Sequence, residues 1–180
     1  QQSLTAALGV YNLSADFQAR DLLLIPAVPY DVILSPEGNY MAVTYAYEVA
    51  VYSTEELKRI ISFPIQESAL SDVVFVNETQ MIYAGEEGIT AYDLQKEQIM
   101  WKGKDAVTIS VSGNGKVVAA VNREEKKAII YNTITGEILT ECSFGIKQMS
   151  YMYNDIFADP NQDIFALNQN GTMLAVSFSD

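Results

Sequence analysis

The sequence predicts an all-β repeat fold, and three observations carry that expectation. Tyrosines at 11, 52, 92 and 131 recur at intervals of 41, 40 and 39 residues, each closing a short apolar stretch and followed by a polar residue and a turn. The stretches between them run four to seven residues, rich in β-branched, aromatic and Ala residues and separated by Gly, Pro, Asn and Glu. That is the pattern of short strands joined by tight turns. No helical period of 3.6 persists beyond a few residues. The best local candidate, Ser53 to Ile61, aligns with a turn and a strand in the other copies.

The elements follow in order. LGVYNLSAD (8–16) and the strand from Arg20 to Ile25 are the third and outer strands of a first unit, a half unit over 6–25. VILSPEGNYMAVTY (32–45), EVAVYSTEE (48–56) and Leu57 to Phe63 make a whole unit over 31–66. VVFVNETQMIYA (73–84), GITAYDLQKE (88–97) and Gln98 to Trp101 make a second over 72–104. ISVSGNGKVVAAV (109–121), KAIIYNTITG (127–136) and Glu137 to Phe144 make a third over 108–146. An incomplete unit follows over 155–180. Its preferred register takes IFADPNQDIFAL (156–167) as first strand, turn and second strand, with Asn170-Gly171 turning into a third. The alternative takes LNQNGTMLAVSF (167–178) as first turn and second strand and leaves 145–164 as an insertion.

Four strands in a unit of about forty residues is the signature of β-propeller blades. A lone blade cannot bury both faces of its sheet, whereas stacked blades cover each other, which explains strands apolar on both sides such as VILS and AIIY. The count gives about four blade equivalents beginning and ending mid-blade, hence an arc of a larger propeller or an unusually small ring. The opening Gln-Gln-Ser, without Met, points to a longer precursor. An open arc exposes apolar faces and so favours self-association.

SPEGNYMAV (35–43) and SGNGKVVAAV (112–121) resemble the first turn and second strand of WD-repeat propellers, and Tyr92-Asp93 falls where that family has its Trp-Asp dipeptide. GITAYDLQKEQIMW (88–101) resembles the blade motif of quinoprotein (PQQ-type) propellers. The resemblance implies a non-catalytic scaffold, a module of a larger bacterial-type protein whose loops recognise a protein or a small ligand. Two rivals stand beside it: part of a quinoprotein-like or hydrolase propeller whose catalytic residues lie outside this chain, and a structural module that assembles through open blade faces.

Composition narrows the chemistry. Eleven Lys and Arg against 23 Asp and Glu leave a net charge of −12, the opposite of the basic footprint nucleic acid requires. No apolar run approaches the roughly 20 residues of a spanning helix. There is no histidine and a single cysteine, so neither a His-based triad nor a Cys–His zinc site can be built from this chain. Cysteine usage and acidity fit either side of a bacterial membrane, with a lean to the outer side.

Candidate sites are few. Tyr45, Tyr47, Tyr151 and Tyr153 lie outside the repeated core positions, and Tyr151 and Tyr153 sit in GIKQMSYMYND (145–155), the longest departure from the repeat. Aromatic groups with a polar tip suit partner or ligand contacts. Asp159, Asn161 and Asp163 have the alternate spacing of a calcium loop, although Ile164 stands where Gly is expected; no other cofactor is implied. Trp101 is expected to pack between blades and Cys142 to be a small buried hydrophobe. Glu86-Glu87 and Glu124-Glu125 read as exposed turn charge.

Overall fold

The computed structural model describes residues 6–12, 18–65, 73–85, 87–104, 106, 108–122, 125, 127–143 and 164–177. The described residues form only antiparallel sheet. β1 (Ala6–Asn12) pairs with β2 (Gln18–Ile25). Three four-stranded sheets follow: β3 (Asp31–Leu34), β4 (Tyr40–Thr44), β5 (Glu48–Ser53) and β6 (Lys58–Pro64); β7 (Val73–Phe75), β8 (Gln80–Gly85), β9 (Gly88–Asp93) and β10 (Gln98–Lys102); β11 (Thr108–Val111), β12 (Val117–Asn122), β13 (Lys127–Asn132) and β14 (Ile138–Ser143). β15 (Ile164–Leu167) and β16 (Leu174–Ser177) form the last pair. Each four-stranded sheet is a meander in chain order. The first strands β3, β7, β11 and β15 lie successively against one another, as the innermost strands of adjacent propeller blades do.

Burial explains why the middle strands read as unbroken apolar runs. β5, β8, β12 and β13 are buried over their central four residues, β4 over its last four, and β9 along its whole length. Alternate residues point to opposite faces, and each face meets a neighbouring sheet. Met41, Val43 and Tyr45 pack with Ile25, Leu8 and Leu23 of the first pair. Ala42, Val49, Val51 and Phe63 pack with Val73, Phe75, Met81, Tyr83 and Tyr92 of the next sheet. Ile82, Ile89 and Ala91 pack with Ile109, Val118, Ile129 and Tyr131. Each fully buried Ile, Met or Val contributes about 1.5–3 kcal/mol relative to exposure.

The repeated tyrosine marks a repeated irregularity. Tyr52, Tyr92 and Tyr131 oppose Met41, Met81 and Val118 on the second strand. On the other side, the pairing with the outer strand shifts by one residue next to Tyr11, Tyr52, Tyr92 and Tyr131, leaving Arg20, Ile60, Met100 and Leu139 as the extra residues. Such bulges increase local twist, so each sheet carries its additional twist at the same place.

The turn between first and second strands also repeats. Gly38, Gly115 and Gly171 adopt φ of 80°, 68° and 69°, left-handed values that glycine reaches without Cβ strain. Their N–H groups donate to the carbonyls of Ser35, Ser112 and Asn168. The side-chain oxygens of those three residues accept the N–H of Tyr40, Val117 and Met173. This equivalence corrects the preferred register of the last copy: β15 is a first strand, Asn168–Met173 is the first turn and β16 is a second strand, as in the alternative register. β15 lies against β11, and the Leu167 N–H donates to Ser110 Oγ.

Candidate functional site

The two ends of the sheets differ in construction. At the turn end, the residue after each of Tyr52, Tyr92 and Tyr131 caps the turn into the outer strand. Ser53 Oγ accepts the N–H of Glu56, Asp93 Oδ1 accepts those of Gln95 and Lys96, and Asn132 Oδ1 accepts those of Ile134 and Thr135. Asp93 is buried, which by itself raises its pKa, but these two N–H groups and the Lys96 ammonium at 3.0 Å outweigh burial and hold it below the usual carboxylate range. Thr54 and Thr133 donate to the carbonyls of Gly38 and Gly115 and so tie the two turns of one sheet together. Between sheets, the Glu78 carboxylate receives Ser35 Oγ at 2.7 Å and the N–H groups of Glu37 and Asn39 at 2.6 and 3.0 Å. Partial burial opposes its ionisation, yet the three donors leave its pKa lowered.

The opposite, hairpin end carries a cleft of about 220 Å³ between the second and third sheets, lined by Pro64, Tyr83, Gly85, Glu87, Thr90 and Lys102. Tyr83 forms its inner wall. The ring stacks on Phe63 of the neighbouring sheet, centroids 4.5 Å apart. Gly85 makes room for it: a Cβ there would lie 3.0 Å from the Tyr83 ring. Burial raises the Tyr83 hydroxyl against the lowering effects of Thr90 and Lys102, so it stays protonated at neutral pH. At the rim, Lys102 Nζ and Glu87 Oε2 are 2.5 Å apart. Each stabilises the other's charged form, the lysine raised and the carboxyl lowered. The walls thus offer an aromatic face, two hydroxyls and an opposed charge pair. Two of these are acidic or basic, and both are already neutralised by each other.

Tyr47, one of the residues proposed for contact, belongs to this end. It sits in the hairpin joining β4 and β5, where its carbonyl accepts the N–H of Ile65, the residue after Pro64, and it is 59 % exposed. Tyr45 corrects the expectation made for it. It is only 5 % exposed, packed with Met41, Val43 and Ile25, and its hydroxyl lies 3.2 Å from that of Tyr52. Burial and this contact push its ionisation far above the ordinary phenol value. It is a core residue. Tyr151, Tyr153, Asp159, Asn161 and Asp163 lie outside the described residues. Among the described residues no group of three or more Asp, Glu or Cys is placed to hold a metal ion.

Two further expectations have structural outcomes. Trp101 packs between sheets: its indole N–H donates to the Thr133 carbonyl at 2.9 Å and its ring stacks on Tyr131. Cys142 is exposed, which overturns its expected burial. It lies on the outermost strand β14, at the position Phe63 occupies in β6, and among the described residues no third or outer strand of a following blade covers β14. The inter-sheet carboxylate of Glu78 and the Tyr83 cleft were missed, because both arise from contacts between copies of the repeat.

No protein-family model matches the chain, and no curated protein matches it by sequence. Solved structures do. Hsv2 of Kluyvelomyces marxianus superimposes with a TM-score of 0.64 at 16 % identity, over 89 % of this chain and 47 % of its own. KlAtg21, solved in complex with the coiled-coil of AgAtg16, gives 0.68 at 17 % identity, over 96 % of this chain and 56 % of its own. Kuenenia stuttgartiensis hydrazine synthase gives 0.55 at 10 % identity, over 77 % and 43 %. The chain spans about half the length of these structures. At such identities the likeness is one of fold: four-stranded antiparallel blades of a β-propeller.

Proposed function

We propose that the chain is a binding module that recognises a protein segment at the hairpin end, across the cleft between its second and third sheets. The observation that carries this reading is the cleft itself, with the Tyr83 wall, the Thr90 hydroxyl and the Lys102–Glu87 pair, at the same end of the sheets as the exposed Tyr47. An aromatic surface flanked by hydroxyls and one charge of each sign suits an extended peptide, whose apolar side chain rests on the ring while its backbone takes the polar groups. The chemistry of the lining favours binding over turnover. Its phenol is held protonated, its carboxylate and ammonium are mutually neutralised, and the chain has no imidazole. KlAtg21, a propeller of similar fold, was solved with a coiled-coil partner, which supports a protein as the class of ligand.

The test is selection from a displayed library of random peptides against the 180-residue chain. Binding of the selected peptides is expected to fall at least tenfold in Tyr47→Ala and Lys102→Ala. It is expected to stand unchanged in Glu55→Gln, at the turn end. Peptides whose affinity ignores Tyr47 and Lys102 would overturn the assignment of this cleft.

A further inference from the structure

The polar side chains along the cleft share one chemical sense. Tyr83 on β8 opposes Thr90 on β9, and Thr90 opposes Lys102 on β10. Directly opposed residues share a face of the sheet, so the three form one row. The stacked ring of Phe63 shows that the row faces the preceding sheet, and all three residues line the cleft. Tyr83 and Thr90 are buried, at 8 % and 4 % exposure, and their hydroxyls hydrogen-bond to each other. One bond between two hydroxyls uses one of their two protons and leaves the other to donate. The Lys102 ammonium adds donors and no acceptor. The row as a whole therefore asks for an acceptor. Its one anionic companion comes from outside the row: Glu87, in the hairpin between Gly85 and Gly88. The Glu87 carboxylate lies 2.5 Å from Lys102 Nζ, with its side chain 76 % exposed. An ion pair this exposed is worth little, so the carboxylate can leave Lys102 without disturbing the sheet beneath.

We propose that the group a partner peptide places in the cleft is a carboxylate, and that Glu87 is its stand-in within the chain. This rests on the reading of the cleft as a peptide site. The incoming carboxylate takes Lys102 Nζ, accepts the spare proton of the Tyr83–Thr90 pair and turns Glu87 out to solvent. Glu87 thus competes with the partner for one cation. A cationic partner group fits less well. It takes Glu87 from Lys102, but it accepts nothing from the hydroxyls and leaves two cations side by side. The net charge of −12 repels anions at long range, yet physiological salt screens that field beyond about 8 Å, so the donors in contact decide. The cleft, about 220 Å³, is smaller than the roughly 300–1,000 Å³ of sites that enclose whole drug-sized ligands. It suits one end of a chain or one acidic side chain. The carboxylate is accordingly either a C-terminus or an Asp or Glu of the peptide.

Peptides selected from the displayed random library on the 180-residue chain provide the test. They are resynthesised with each Asp and Glu changed in turn to Asn and Gln, and separately with the C-terminus amidated, and affinities are read by titration calorimetry. One carboxylate is expected to carry the binding. Its conversion to an amide weakens the complex with the parent chain about tenfold or more, but changes the complex with Lys102→Ala by about twofold at most. Which conversion does so tells a C-terminal carboxylate from a side-chain one. Tyr83→Phe keeps the stacked ring and loses the donor, and is expected to weaken the same peptides by about fivefold or more. Glu87→Gln removes the internal competitor and is expected to strengthen them by about twofold to fivefold. Affinity that falls or stands still in Glu87→Gln overturns the inference, and so does affinity that survives the loss of every carboxylate. In both cases peptides that still depend on Tyr47 and Lys102 leave the peptide reading of the cleft standing. Peptides indifferent to Tyr47 and Lys102, or no selected peptide at all, overturn that reading and the inference together.

Discussion

Tyr45 and Tyr52 provide a sharp test of how the core between the first strand pair and the first full sheet is held. Both rings are buried, and the hydroxyls, 3.2 Å apart, are each other's hydrogen-bond partner. Tyr45→Phe leaves the Tyr52 hydroxyl desolvated and unpaired, at a cost of about 1–3 kcal/mol, and Tyr52→Phe does the same to Tyr45. The double variant removes both polar atoms together and keeps both ring volumes, so it forfeits only the net worth of the bond, about 0.5–1.5 kcal/mol. Taking about 1.5 kcal/mol for each single and about 0.5 for the double, the interaction energy is about 2.5 kcal/mol, well above the few tenths that independent sites show. The assay is urea unfolding of all four proteins followed by circular dichroism, with the slope m checked for constancy. For a chain of this size each kcal/mol moves Tm by about 2–4 °C, so each single variant is expected to melt about 3–6 °C low and the double variant above either. A double variant that melts as low as the summed singles would refute the reasoning, because the hydroxyls would then have other partners.

Other expected outcomes follow from the same structure. Glu78→Ala removes the acceptor for Ser35, Glu37 and Asn39; with the discount that partial exposure requires, it is expected to cost about 1–2 kcal/mol in urea unfolding. Glu97 holds a φ of 53° in the turn where the third full sheet has Gly136 at 71°, so Glu97→Gly is expected to raise Tm, by about 2–4 °C for relief of about 1 kcal/mol. Glu141 bridges the Lys104 and Lys127 ammonium groups, and their hydrogen bonds lower its pKa to about 2. A carboxyl with a depressed folded value contributes stability that is fully present above the unfolded value, near 4.3, and is lost as pH falls through the folded one. Melting curves between pH 5 and pH 2 are therefore expected to fall less steeply for Glu141→Gln than for the parent.

Much of the fold was legible because the repeat writes the same physical instruction several times. The tyrosine spacing located the third strand of each blade, and the polar residue after it proved to be the cap of the following turn: Ser53, Asp93 and Asn132. What failed to read correctly had local causes. Tyr45 looked like a loop residue because it follows the end of β4, yet it continues the alternation Met41, Val43, Tyr45 that points into the core. The register preferred for the last copy kept the repeat spacing more regular, and the turn chemistry at Asn168–Met173 overrides that regularity. The signal that fixes it, a Ser or Asn three residues before a glycine at 35/38, 112/115 and 168/171, is visible in the sequence. Cys142 sits on β14, which no further four-stranded sheet follows among the described residues, so no local pattern could report its exposure. The Tyr83 cleft and the Glu78 cap join residues about twenty to forty positions apart, on different sheets or on different strands of one, and periodicity is silent about such pairings.

The unequal stitching of the two ends has a consequence for how such a protein can change. At the turn end the loops are fastened to one another by side-chain caps, by the Thr54 and Thr133 hydroxyls and by the Glu78 carboxylate, so an insertion between Ser35 and Tyr40 unfastens several loops at once. The hairpins at Tyr45–Glu48 and Gly85–Gly88 are each closed by their own strand pair. New loop sequence placed there leaves the ladder of the sheets in register. Variation, natural or engineered, therefore has one permissive end on which to write specificity, while the other end works as the binding of the book.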